Sequence, residues 1–527
     1  MSTSTTTLDQ HHHEPQHSRG RIVLITLGVM LSLFMASMEA TVVATAMPTI
    51  VTQLGGLEIY SWAFSAYLLA STTTVPIYGK LSDLYGRRPV YTVAMSLFLI
   101  GSLLCGRASS MIQLVIFRAV QGLGAGGLLP LAFIIIGDIF SLEQRARMQG
   151  VFSGVWGISS IVGPLLGGFL VDQISWHWVF YINLIPGLLA GALVWFAWLD
   201  RPRPSKQVAV DYLGATLLSA GVVCLLLGLF ELGSATSWLL IGLALTLLVA
   251  LVPIERRAAD PILPLPLFRD RLFAVACAHG LLAGWAMFGS ASFVPLFVQA
   301  VLGTSATQAG VTLTPQMLGW VSASIIGSRL LLRLGYRTLA LTGMTLLTLS
   351  MFLMSQIGVT TPQWLLMIYM AMSGIGMGLS IPAFLIAVQS TVRREQLGTA
   401  TSTVQFSRSM GGTLGVSIMG ALLSLQLATR LAAQGLDPRS VSVDQLLEPL
   451  PGAGLDLAAN GAMRLALAGA IGTIFLVAFL AAAAGLIATT FAPRGRIDQL
   501  AEARRATTPS TPPAAAPSER PGVSRAS

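Results

Sequence analysis

Fourteen apolar segments follow one another between residues 22 and 490, each roughly 17 to 30 residues long. A helix rises about 1.5 Å per residue, so about 20 apolar residues cross a hydrocarbon layer about 30 Å thick. No water reaches a backbone in that layer, so each segment must pair its own N–H and C=O groups, which leaves the helix. The chain is 54% hydrophobic and only 10% charged. Soluble domains carry about a quarter charged residues. The expectation is an all-α polytopic membrane protein.

The charges are placed by side. With the N-terminal side called inner, the outer loops hold only Arg107, Arg430, Arg439 and Arg464, and the spans hold Arg118 and Arg408. The rest of the 31 Lys and Arg fall on the inner side. This is the positive-inside pattern. It predicts an even number of spans and two cytoplasmic termini. It also accounts for most of the net charge of +9 without a nucleic-acid partner.

The chain divides accordingly. Residues 1–21, with a His cluster, and 503–527, rich in Pro, Ala, Ser and Arg, read as disordered cytoplasmic tails. Residues 22–199 hold six segments, 211–254 hold two more, and 272–490 hold the last six, with a long outer loop at 426–461. Pro295 reads as a kink inside the ninth segment. Cys105, Cys224 and Cys277 all lie in apolar runs, so no disulfide framework is expected.

One inner loop stands out. Residues 79–90 read GKLSDLYGRRPV, dense in charge and poor in bulk. A weaker echo, GSRLLLRLGYR, occupies 327–337, with Gly79 matching Gly327 and Arg87 near the place of Arg337. A unit repeated at two inner loops argues for two related bundles.

GKLSDLYGRRPV resembles the loop between the second and third helices of the major facilitator superfamily. RAVQGLGAGG (118–127) is similar to its fourth-helix motif, and GPLLGG (163–168) to its fifth-helix antiporter motif. MEATVVATAMPTI (38–50), WHWVFYINLIPG (176–187), PLFVQAVLGTSATQAGVTLTP (295–315) and GTATSTVQFSRSMGGTLG (398–415) add further matches. Fourteen spans rather than twelve resemble the drug:proton antiporter branch. The resemblance implies two six-helix bundles with two extra inserted helices. Two positions depart from the pattern: Glu39 stands where relatives often have Asp, and Ser159 where the antiporter motif often has Gly.

The candidate site residues follow from both lines. Gly79 and Gly86 let backbones approach and turn. Asp83 suits a helix N-terminus. Arg87 lies four residues on, within reach of Asp83, and Asp138 is its second candidate partner. Lys80, Arg87 and Arg88 also hold the loop inside. In relatives this cluster latches the two bundles on the cytoplasmic side, and the thirteenth span is the facing element.

Charges within spans are costly and functional by default. Glu39 is the one acid well inside a span. Burial and a nearby arginine act on a carboxyl in opposite directions, so a change of its contacts makes protonation depend on conformation. Two readings stay open: a proton-coupling pair with Arg118, or a permanent Glu39–Arg118 ion pair. In relatives the fourth-helix arginine serves the proton relay. Arg408 has three readings: structural, snorkelling or lining a cavity. Gly163, Pro164, Gly167 and Gly168 form a packing motif, with Pro164 bending its helix. Met35, Trp62, Tyr67, Gln121, Trp156 and Arg408 are candidate pocket residues.

The expected function is a proton-coupled antiporter that exports small amphipathic or cationic drugs by alternating access. An exporter of one narrow natural substrate, such as an antibiotic, siderophore or lipid, is the alternative, and a transport-dead sensor ranks below it. No G-x-x-x-x-G-K-[ST] stretch is present, so ATP drive within the chain is not expected. No nucleophile–base set points to an enzyme. The expected partners are a small-molecule substrate, protons and the lipid bilayer. No cofactor or metal is expected, the proton gradient is the expected energy source, and an envelope adaptor protein is left open.

Overall fold

The computed structural model describes residues 18–55, 60–199, 211–230, 234–258, 261–263, 265–304, 306–434 and 457–494. The tail expected at 503–527, nearly all of the tail expected at 1–21 and most of the 426–461 loop therefore lie outside the described residues. The first helix begins at Arg19, and at the loop helix runs on to Ala433 and begins again at Leu457.

The described residues form helices. The first bundle holds α1 (Arg19–Leu54), α2 (Tyr60–Tyr85), α3 (Arg87–Cys105), α4 (Met111–Ile139), α5 (Leu142–Gln173), α6 (Trp178–Tyr181) and α7 (Leu184–Ala197). A hairpin of α8 (Tyr212–Phe230) and α9 (Ala235–Arg257) follows. The second bundle holds α10 (Arg271–Leu296), α11 (Ala306–Leu334), α12 (Tyr336–Ser355), α13 (Gln363–Thr391), α14 (Leu397–Ala433) and α15 (Leu457–Thr490). Helix α10 passes Pro295 and widens two residues later into a π-helical turn at Phe297–Val301. The sixth apolar segment is interrupted: a turn at Ile182 and Asn183 separates α6 from α7.

Among the described residues, 11 helical stretches are long and apolar enough to cross a membrane, α6 and α7 counting as one. The less apolar ones are α2, α5 and α11, and their placement explains it. Helix α2 packs on α14, and α5 packs on α11, across the seam between bundles. A helix that faces another bundle needs less apolar surface than one surrounded by lipid.

The pairings repeat. Helices α2 and α3 pack on α4 as α11 and α12 pack on α13, and α1 packs on α5 and α7 as α10 packs on α14 and α15. The loop echo obeys the same relation. Gly86 (φ 106°) and Gly335 (φ 80°) immediately precede α3 and α12, in a backbone region that favours glycine. The residue two places after each is an arginine turned to the last helix of its own bundle. Arg88 lies 3.9 Å from the ring centroid of Trp195, and Arg337 Nη2 donates to the Thr490 carbonyl at 2.7 Å. Arg337 therefore matches Arg88 more closely than Arg87.

The apolar core is asymmetric along the helices. At the end carrying the 79–90 loop, one continuous cluster runs through both bundles, from Ile25 and Phe133 to Phe384 and Val404. At the opposite end each bundle has its own core, around Val43 and Phe180 in the first and Met351 and Phe475 in the second. The bundles are closed together on the loop face and separate on the other.

Candidate functional site

Three features define the candidate site: a latch and a cavity at the seam, and a buried polar network beside it.

The latch is built on the loop face. Asp83 Oδ1 accepts from Arg87 Nη1 at 2.6 Å and from the Gly398 amide at 3.0 Å. Its Oδ2 accepts from the Thr399 amide at 2.6 Å and the Thr399 hydroxyl at 2.8 Å. Arg87 Nε reaches Asp138 Oδ2 at 3.1 Å. Helix α14 has no side-chain cap of its own at its N-terminus. Asp83 supplies one from the other bundle, satisfying two amides that helix geometry leaves unpaired. Close approach makes this feasible: a Cβ at Gly398 would stand 2.6 Å from the Gly79 carbonyl oxygen. Farther along the seam, Arg145 Nη1 donates to the Gln389 carbonyl at 3.2 Å, and the Ser153 and Ser324 hydroxyls lie 2.9 Å apart.

The network lies inside the first bundle. Glu39 has no exposed surface. Its Oε1 accepts from Arg118 Nη1 at 2.6 Å and Gln121 Nε2 at 2.9 Å, and its Oε2 from Asn183 Nδ2 at 2.6 Å. Gln121 Nε2 also donates to Ser102 Oγ at 2.7 Å, and Gln121 Oε1 accepts from Arg118 at 2.7 Å. Arg118 is held from behind by the Ala63 carbonyl at 3.1 Å and by the Tyr67 ring, 4.1 Å from its centroid. Helix α4 and the turn at Asn183 thus converge on one carboxylate, while α2 and α3 hold the α4 donors in place. Glycines let them close in. Gly122 and Gly126 of α4 lie against the Tyr67 and Ser71 carbonyls of α2, while Gly124 lies against Phe98 of α3. Gly163 and Gly167 of α5 lie against Thr41 and Thr45 of α1, the helix that carries Glu39. Gly168 has no atom within 4 Å of where a Cβ would stand. The backbone of α5 stays helical across this motif, and the Pro164 side chain lies outside the described residues.

The cavity, of about 190 Å³, lies between the bundles at mid-height. Of the six candidate pocket residues, Tyr67, Trp156 and Arg408 line it. Trp156 stacks on Trp320 of the other bundle, with centroids 6.4 Å apart. The other three stand off it. Met35 is buried in the first bundle against Gly187, Gln121 belongs to the network, and Trp62 packs toward the α8–α9 hairpin with Leu218 and Met410. Tyr67 is shared: it lines the cavity and covers Arg118.

Sequence reasoning passes over Asn183, Ser102 and Thr399. Asn183 carries a usable signal, a lone amide inside an apolar run. Ser102 and Thr399 carry none, because hydroxyls are common in spans and usually bond their own helix, as Ser82 bonds the Gly79 carbonyl here.

Two pseudo-symmetric bundles around a central cavity, with charges buried in their helices, define a multi-pass membrane transporter rather than an enzyme. The family model described as Major Facilitator Superfamily matches residues 29–416, and the chain belongs to that superfamily, as a protein of the cell membrane acting on small molecules. Multidrug transporter protein MdtP of Bacillus subtilis (strain 168) is 41% identical over 410 residues, covering 77% of this chain and 75% of the relative. Multidrug resistance protein 3 of the same organism is 37% identical over 500 residues, covering 91% and 96%. Among solved structures, the proton:xylose symporter XylE aligns with a TM-score of 0.61 at 14% identity, over 92% of this chain and 99% of that one. That likeness concerns the fold alone.

Proposed function

We propose that the protein is a proton-coupled antiporter that exports small amphipathic or cationic drugs from the cell by alternating access. The loop face is the cytoplasmic one in this reading, as the arginine distribution suggests. The names of the relatives support drug efflux. The observation that carries the proton coupling is Glu39, a fully buried carboxylate whose three donors come from two other elements of its bundle. In this arrangement the donors suit the ionised form. A proton on Glu39 deprives Arg118 of its counter-charge and displaces a donor. Asn183 Oδ1 is buried without a hydrogen-bond partner among the described residues, so a turn of that amide offers an acceptor for a proton on Oε2. Tyr67 lines the cavity and lies over Arg118, so occupation of the cavity and rearrangement of the pair are linked through one side chain.

The test is a panel of amphipathic drugs added to inside-out vesicles under an imposed pH gradient. Wild type should take up drug and dissipate the gradient with it. Glu39→Gln should lose drug-dependent proton movement by at least tenfold. Equal behaviour of the two would place the proton site elsewhere. A second reading, export of one narrow substrate, is favoured by the cavity volume of about 190 Å³, smaller than the roughly 300–1,000 Å³ of drug-sized pockets. Transport of a single member of the panel, or of none, would select it.

A further inference from the structure

Arg408 is the one charged residue among those lining the cavity. The network explains the other in-span arginine, since Arg118 has Glu39 at 2.6 Å. Arg408 has no ion-pair or hydrogen-bond partner among the described residues. It is partly buried, on a helix whose position is tightly set. Gly280 and Gly284 of α10 lie against the Arg408 backbone, and a Cβ at Gly284 would crowd the Arg408 carbonyl oxygen. Replacing these glycines would push α14 off α10, so they hold residue 408 at the cavity wall.

A guanidinium stays charged under all physiological conditions. Taking it out of water without a counter-charge is unfavourable, and a partner anion relieves that cost. No carboxylate lines the cavity. The acid of the neighbouring network, Glu39, is already neutralised by Arg118 behind Tyr67. The field in the cavity is therefore that of one positive charge. A carboxylate or sulfonate can take two parallel N–H bonds from a guanidinium. Six aromatic side chains, Tyr67, Phe133, Phe152, Trp156, Phe288 and Trp320, line the rest of the wall together with aliphatic residues and a few hydroxyl and amide groups. Such surfaces favour flat, apolar bodies.

We infer that the cavity selects small aryl anions, the acid group on Arg408 and the ring against the Trp156–Trp320 pair. This rests on the transport reading above, narrows its amphipathic class to compounds with an acidic head and sets aside its cationic one. Arg408 is then the specificity-determining residue for charge.

The test uses the full chain in lipid nanodiscs and two probes matched in size and opposite in charge. These are radiolabelled 1-naphthalenesulfonate and 1-methylquinolinium. Equilibrium binding should show the anion bound at least tenfold more tightly than the cation. Arg408→Gln should weaken anion binding at least tenfold and leave the cation unchanged or tighter. Arg408→Lys should recover part of the anion affinity, which a purely structural role would not give. Tighter binding of the cation by wild type, or an unchanged anion-to-cation ratio in Arg408→Gln, overturns the inference. The two readings fail separately. Anion binding at Arg408 without proton-coupled movement sinks the antiporter and leaves the inference standing. Proton-coupled export with equal anion affinity in wild type and Arg408→Gln does the reverse.

Discussion

Glu39 and Arg118 illustrate how far a single side chain can be read. A charge in an apolar run is costly, so the sequence alone marks both as candidates. Their pairing with each other is marked as well, but their other partners are not. Asn183 reaches Glu39 because the sixth span breaks at residues 182–183 and turns that side chain inward. It is the sole donor to Glu39 Oε2 among the described residues. Asn183→Leu should leave that oxygen without a partner, a loss of about 1–3 kcal/mol. Proton-coupled transport should fall about tenfold, measured as gradient dissipation in vesicles. Ligand binding without a gradient should stay within twofold, because Asn183 does not line the cavity. A large loss of binding would instead mean that the residue shapes the pocket.

At the scale of elements, the latch is a helix cap supplied in trans. The charge density of residues 79–90 is legible, and so is the fitness of Asp83 for a helix N-terminus. The register is not: the Gly398 and Thr399 amides lie 315 and 316 residues away, and only the crossing of α2 over α14 selects them. Asp83→Asn replaces a charged acceptor that faces Arg87 and both amides. Charge-assisted bonds contribute about 1.5–3 kcal/mol each, so even partial loss should shift the closed population by about tenfold or more. Spin labels on the loop-face ends of α2 and α14 would report this as a longer distance. An unchanged distribution in Asp83→Asn would show that the merged apolar core, not the cap, holds this face shut. The same packing logic places the motif glycines. Those of α4 face α2 and α3 in turn, which a stripe of glycines read along one helix does not reveal.

For the whole molecule, the division of the core sets the conformational state. One cluster spans both bundles on the loop face, and two separate cores remain on the other. This is a transporter closed on one side, with its cavity above the closure. Ser153 and Ser324 meet across the seam at 2.9 Å. Ser153→Cys combined with Ser324→Cys, with the three native cysteines replaced, should cross-link under oxidation in this state. The cross-link should abolish transport, and a reductant should restore it. Cross-linking that leaves transport intact would mean that α5 and α11 do not separate during the cycle. The repeat is readable in outline, through the glycines and arginines of two loops. The structure adds its rule, since Gly86 and Gly335 share a positive φ and the arginines after them each face the last helix of their own bundle.

Helices, in-span charges, the repeated glycine turn and the superfamily are all present in the sequence. They depend on the hydropathy of a segment, the cost of burying a charge and the φ that a turn demands, and each is a property of a few neighbouring residues. The donors on Glu39, the cap on α14, the walls of the cavity and the isolation of Arg408 belong to the tertiary structure. They depend on how each helix is rotated and crossed against the others. Packing fixes those angles collectively, because one apolar helix can bury several faces equally well until its neighbours are in place.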